Sequence, residues 1–122
     1  MSWSVEFHPR FAQEVAELSD VVREALLEMA LLLAEAGPQL RRPHCDTLSG
    51  SRHTNMKEFR FNADDGVWRI AFAFDPTRQA ILLTAGDKSG VSQARFYKQL
   101  LARADARFDE HLAAQAASRG PI

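Results

Sequence analysis

Asn55-Met56-Lys57-Glu58-Phe59-Arg60-Phe61, Val67-Trp68-Arg69-Ile70-Ala71-Phe72-Ala73-Phe74 and Gln79-Ala80-Ile81-Leu82-Leu83-Thr84-Ala85-Gly86-Asp87-Lys88 decide the fold. Each run has strand length and is rich in aromatic and β-branched residues. Ala63-Asp64-Asp65-Gly66 and Asp75-Pro76-Thr77-Arg78 separate them as turn signals. The pattern predicts a three-stranded antiparallel meander. Side chains alternate across a strand, so its faces can be read separately. Trp68, Ile70, Phe72 and Phe74 take one face, with Arg69, Ala71 and Ala73 on the other. Phe59 and Phe61 oppose Glu58 and Arg60, while Ala80, Leu82, Thr84, Gly86 and Lys88 share a face of the last run. One face is therefore greasy enough to take helices. The other is expected to be an open, shallow trough floored by Ala, Thr and Gly, carrying Arg60, Arg69 and Lys88. Such a trough suits an anionic ligand.

Outward from the meander, Trp3, Val5 and Phe7 alternate with Ser4 and Glu6, which reads as a short N-terminal strand over residues 2–7. Pro9 opens a helical turn followed by Phe11, Val15 and Leu18. Ser19 and Asp20 supply an N-cap and acidic first turn for a second helix, which Gly37-Pro38 stops. These helices form a hairpin that can cover the greasy face. Residues 37–55 make a long connection holding Arg41, Arg42, His44, Cys45, Arg52 and His53. Connections of that length inside a compact domain are commonly functional. Ser92 caps a last helix carrying Phe96, Tyr97, Leu100, Leu101, Ala104, Phe108 and Leu112; residues 113–122 are expected to fray.

At 122 residues the chain fits one domain, 1–122, with 46% hydrophobic and 25% charged residues. A single cysteine, Cys45, excludes an intramolecular disulfide and fits a reducing compartment. No secretory leader or membrane-length apolar run is read, so a cytoplasmic protein with no membrane partner is expected. The formal net charge of −1 hides a dipole. Residues 1–36 hold seven acids against two bases, and residues 37–103 hold eleven bases against six acids. The positive part coincides with the predicted sheet.

His8, His44, His53 and His111 lack zinc-site spacing, and no Gly-rich phosphate loop or serine elbow is present, so neither metal nor cofactor is expected. What remains is Lys57, Arg60, Arg69, Lys88 and Tyr97, with His53 nearby. Singly, each has a plain structural reading: Arg60 pairs with Glu58, Lys88 ends a strand, Tyr97 joins the core. Together they are what metal-independent RNA cleavage needs. A base takes the ribose 2′ proton, cations stabilise the phosphorane, and an acid protonates the leaving 5′ oxygen.

The block Leu48-Ser49-Gly50-Ser51-Arg52-His53-Thr54-Asn55-Met56-Lys57-Glu58-Phe59-Arg60-Phe61 resembles the phage-derived Gp49-like, HigB-type toxins of the RelE/ParE superfamily. Residues 67–75, 82–90 and Arg95-Phe96-Tyr97 continue the resemblance. It implies an α+β, RelE/ParE-like fold: a small antiparallel sheet (the meander plus the N-terminal strand), a helical hairpin on one face, and a C-terminal helix. It also implies the toxin of a type II toxin–antitoxin pair, an endoribonuclease cutting mRNA on the ribosome and restrained by a helix-turn-helix antitoxin. By resemblance, Lys57, Arg60, Arg69, Lys88 and Tyr97 are the catalytic positions. Arg41, Arg42, Arg52 and His53 are expected to bind RNA. The superfamily also holds inhibitors of protein targets such as DNA gyrase, and an inactive prophage interaction module is a further alternative.

Overall fold

The three central runs pair as an antiparallel meander, and both turns follow from their residues. In the computed structural model, which describes residues 3–119, the chain runs β1 (Ser4–Phe7), α1 (Pro9–Val15), α2 (Asp20–Ala36), a 3-10 turn (Gly37–Gln39), β2 (Cys45–Thr47), β3 (Met56–Ala63), β4 (Gly66–Phe74), β5 (Gln79–Asp87) and α3 (Gln93–Arg119). Asp64 and Asp65 both have positive φ, 52° and 60°. That is the two-residue turn whose twist matches a hairpin. At the second turn the Asp75 carboxylate accepts from the backbone N–H groups of Thr77 and Gln79 at 2.9 and 3.0 Å. The helix signals also hold: Ser19 caps α2 by accepting from the Val22 N–H, and Gly37 ends it at φ 57°. A Cβ at Gly37 would run into the Trp3 indole, so glycine is required there twice over.

The strands form one sheet in the order β1-β5-β4-β3-β2. Two features correct the expected antiparallel meander plus strand. β1 pairs parallel with β5, from Ser4↔Gln79 to Phe7↔Leu82, so the sheet is mixed. Alternation fixes the face of a residue but carries no information on the direction of pairing. The long connection also contributes a strand, β2, antiparallel to β3 at the free edge.

The open trough is the larger correction. Between Ala71 and Phe72 the β4–β5 register slips, with Ala71 opposite Thr84 and Phe72 opposite Leu82. Leu83 is the extra residue of a β-bulge, and a bulge turns the following side chains over. Ala80 and Leu82 therefore join Phe59, Ile70 and Phe72 under the hairpin, packed on Phe11, Leu26 and Leu33. Ile81, Leu83 and Ala71 instead face α3 in a second core with Phe96, Leu100, Ala104 and Phe108. Ala71, Ala73 and Thr84 are fully buried. The small residues are the seat of a helix, which needs flat ground for close approach, and α3 covers most of the expected trough.

Two polar anchors hold α3 down. Arg107 grips Glu14 of α1 through both carboxylate oxygens at 2.8 and 2.6 Å and donates to the Leu83 carbonyl at 2.8 Å. Buried Asp75 lies 2.8 Å from His111 Nε2 and accepts from Gln115 Nε2 at 2.6 Å. The tail expected to fray over 113–122 is thus helical to Arg119, with residues 120–122 outside the described part. Among the described residues no helix is long and apolar enough to cross a membrane.

Candidate active site

Where the first turn of α3 leaves the sheet, a cleft of about 580 Å³ opens against the β2 edge. Glu58, Arg60 and Tyr97 line it together with Thr47, Ser49 and Gln93. Strand geometry sets it up: Arg60 lies opposite Arg69 and Glu58 opposite Ala71 across the β3–β4 pair. The centre is a carboxylate. Glu58 is 3% exposed. Its Oε1 accepts from the Tyr97 hydroxyl at 2.8 Å and lies 3.3 Å from Arg69 Nε and 3.4 Å from Arg60 Nε. Neither buried Nε–H is aligned for a hydrogen bond at those distances, so these are off-axis ion pairs. Arg69 Nη1 also donates to its neighbour's carbonyl, on Trp68, at 2.9 Å.

Arg60 continues outward to Asp46 on β2, donating from Nη2 to Oδ2 at 3.2 Å. The same oxygen accepts from Arg42 Nε and Nη2 at 3.0 and 2.7 Å. The Arg42 hydrogen bond and that from the Thr47 N–H hold the Asp46 carboxyl below its ordinary range. Lys88 sits with its amine 5.8 Å above the Tyr97 ring, a cation–π contact. Burial, and then the hydrogen bond to Glu58, push the Tyr97 phenol above its ordinary pKa. It is kept as a neutral donor across the physiological range.

Four of the five expected catalytic residues come together here: Arg60, Arg69, Lys88 and Tyr97. Lys57 does not. It precedes Glu58 on the strand and so points to the opposite face, where its amine donates to Thr47 Oγ1 at 3.0 Å. The expected RNA-binding residues divide as well. Arg41 and Arg42 lie on the connection before β2, both exposed. Arg52 pairs with Asp109 of α3, and His53 Nε2 lies 2.8 Å from the other oxygen of that carboxylate. Asp109 lies twelve residues beyond Tyr97, ~18 Å along the helix axis. His53 also packs edge-on to Phe108, with ring centroids 4.8 Å apart. Arg52 and His53 therefore strap the connection to α3 at a distance from the cleft.

Glu58 is the functional candidate absent from the sequence-based set. A cluster of cations without an acid was expected, yet period-two alternation already put Glu58 beside Arg60. Among the described residues, no three His, Cys, Asp or Glu side chains are grouped to hold a metal ion.

A mixed sheet with a hairpin on one face and a long helix on the other defines a RelE-like fold. A double mutant of the Escherichia coli toxin RelE in the free state has a TM-score of 0.58 at 14% identity, over 84% of this chain and 96% of that one. The RelBE2 toxin–antitoxin complex of Mycobacterium tuberculosis has a TM-score of 0.55 at 15% identity, over 71% of this chain and 99% of that one. At those identities the likeness shows the fold alone. Residues 13–109 match the family described as phage derived protein Gp49-like (DUF891), and the chain belongs to it. Two M. tuberculosis relatives place it among HigB-type sequences. The candidate toxin HigB2 is 38% identical over 92% of this chain, which spans 66% of HigB2's length. The candidate toxin HigB3 is 46% identical over 69% of this chain and 71% of its own length.

Proposed function

We propose that the chain is the toxin of a type II toxin–antitoxin pair, a metal-independent endoribonuclease that cleaves mRNA on the ribosome. The observation that supports this is one carboxylate meeting two guanidinium groups and a phenol at the wall of an open cleft. Glu58 takes the proton of a ribose 2′-OH, and the 2′ oxygen forms a bond to the adjacent phosphorus. The P–O5′ bond breaks, leaving a 2′,3′-cyclic phosphate. Tyr97 gives its proton to the leaving 5′ oxygen and recovers one from Glu58 through their hydrogen bond, so the pair ends as it began. Arg60 and Arg69 stabilise the extra negative charge of the phosphorane, each worth roughly 10²–10³ in rate by analogy with other preorganised donors. Lys88 adds positive potential and holds the Tyr97 ring.

Lys57 has no place in this step. A cytoplasmic antitoxin with a helix-turn-helix domain is the partner that would keep the cleft closed. Solved structures of the same fold include a toxin–antitoxin complex, RelBE2, and an archaeal RelE–RelB complex from Pyrococcus horikoshii, at a TM-score of 0.54 and 17% identity over 75% of this chain and the whole of that one. The test is induced expression of wild type and Glu58→Gln, followed by mapping of mRNA 5′ ends. New ends bearing a 5′-hydroxyl in wild type alone support the nuclease. Growth arrest with intact mRNA overturns it and assigns the cleft to a protein target such as gyrase.

A further inference from the structure

The cations that the site leaves out converge on a place of their own. β2 has a second cleft behind it, about 440 Å³, on the side of the helical hairpin. Its walls include Leu40, Arg41, Arg42 and Lys57, and it shares Asp46 and Thr47 with the first cleft. A single three-residue edge strand is thus the ridge between two basic clefts. Among the described residues Arg41 and Lys57 have no carboxylate within ion-pair distance, and Lys57 bonds only the Thr47 hydroxyl. Asp46 is the one acid on the ridge, shared between Arg42 and Arg60 on its two sides. Three cations around a single carboxylate leave a surplus of positive charge with an apolar wall from Leu40. No structural task in the fold uses that surplus. The core behind it is closed by Cys45, Phe59 and Leu40 without those side chains.

We propose that the second cleft is a backbone site for single-stranded RNA, holding a phosphate of the strand whose scissile bond lies in the first cleft. The strand crosses the β2 ridge, and Arg42 and Arg60 exchange Asp46 for phosphate oxygens as it does so. This rests on the nuclease reading of the first cleft. It makes a separate demand: substrate length, rather than sequence, sets affinity. A strand too short to cross the ridge gains nothing from Arg41, Arg42 and Lys57.

The test uses 2′-O-methyl oligonucleotides, which cannot be cleaved, as a trimer and a dodecamer. Binding is measured by fluorescence anisotropy across a salt series for wild type and the double variant Arg41→Ala/Lys57→Gln, which spares the Arg42–Asp46–Arg60 contact of the first cleft. The expected result is a dodecamer affinity reduced roughly 10-fold or more in the double variant, with trimer affinity unchanged. The salt slope for the dodecamer should fall by about 0.7 for each phosphate that is no longer neutralised. With cleavable RNA, KM for long substrates should rise while kcat holds. Equal weakening of trimer and dodecamer would overturn the proposal, since it would mean diffuse attraction. Unchanged binding of both would do the same, and so would loss of antitoxin binding alone, which would hand the cleft to the partner. A chain that cuts no RNA yet shows the length-dependent loss would sink the nuclease reading and keep this site.

Discussion

Arg69→Ala is the perturbation whose expected outcome the structure reverses. On an open face its removal should cost no more than about 0.5 kcal/mol. In the folded chain the Arg69 side chain is 12% exposed and its Nε lies 3.3 Å from Oε1 of Glu58, itself buried. Breaking a buried pair from one side costs ~3–5 kcal/mol when nothing else compensates the remaining charge. Arg60 at 3.4 Å and the Tyr97 hydroxyl at 2.8 Å stay on the same oxygen, so compensation is partial. About half the full penalty, ~2 kcal/mol, is the expected loss. For a domain of this size that lowers Tm by roughly 8 °C. Glu58→Gln added to Arg69→Ala removes the stranded charge and should return ~1 kcal/mol or more as a coupling term. Thermal and urea unfolding of the two single variants and the double give the cycle. Cleavage should be lost in all three, because the double restores neither base nor cation. Additivity within about 0.3 kcal/mol would refute the pair, and a double variant that regained cleavage would refute the assigned chemistry.

Tyr97→Phe keeps the ring under Lys88 and deletes the donor to Glu58. It should cost ~1–2 kcal/mol and slow cleavage at least 10-fold, and full retained cleavage would take Tyr97 out of the proton path. Burial pushes the Cys45 thiol up to about 11, so at pH 8 native protein should react with iodoacetamide far more slowly than unfolded protein. Because that folded value is raised, its contribution to stability is complete below the unfolded value of about 8.5 and is lost as pH climbs toward 11; a thiol that labels as fast in the native state as in urea would contradict its burial. Gly86→Ala places a Cβ 2.7 Å from the Phe96 ring, forcing the first turn of α3 off the sheet. It should cost ~1–3 kcal/mol and reduce cleavage through displaced Tyr97, whereas a neutral result on both would mean α3 does not seat there.

The parts of the fold written in local chemistry were legible. Asp64-Asp65-Gly66, Ser19 with Asp20, and Gly37-Pro38 each name a backbone geometry through their own side chains, and each forms. Register is a different matter. The bulge at Leu83 depends on pairing between β4 and β5, and no single run displays it. Reading β5 as a uniform alternation put Ala80 and Leu82 beside Thr84 and Gly86, and that error opened a trough where α3 sits. The stripe of Phe96, Leu100, Ala104 and Phe108 was visible, and its need for a seat on the Ala71 side was the signal against an open face. β2 was too short to announce itself within the connection. That Arg60, Arg69, Lys88 and Tyr97 cluster was legible from face and resemblance together. Adjacent residues on a strand cannot share a face, so the alternation that groups Glu58 with Arg60 also turns Lys57 away from them, and that much was legible in the sequence.

The near-neutral total charge does not weigh against an RNA substrate, because the acids are in the wrong place to matter. Asp20, Glu24, Glu28 and Glu35 all lie exposed along α2. That helix packs on one face of the sheet, whereas Glu58, Arg60 and Arg69 meet Tyr97 on the other. A packed layer is about 10 Å thick, and the Debye length at physiological salt is about 8 Å, so the acidic face is largely screened from a strand in the first cleft. What the strand meets there is local: Arg60, Glu58 and Tyr97 line the cleft, Arg69 pairs with that Glu58 and Lys88 lies over that Tyr97, and Asp46 is held between two arginines. Each arginine in contact with a carboxylate still has donors of its fork to spare. The carboxylates then act as holders. They fix the guanidinium planes before substrate arrives, at the cost of some attraction, and a preorganised cation is worth more to a phosphorane than a free one. Lowering the salt should therefore strengthen RNA binding steeply while leaving the rate of the bound complex almost unchanged. The exposed acids should influence the rate of encounter only, and only at low ionic strength.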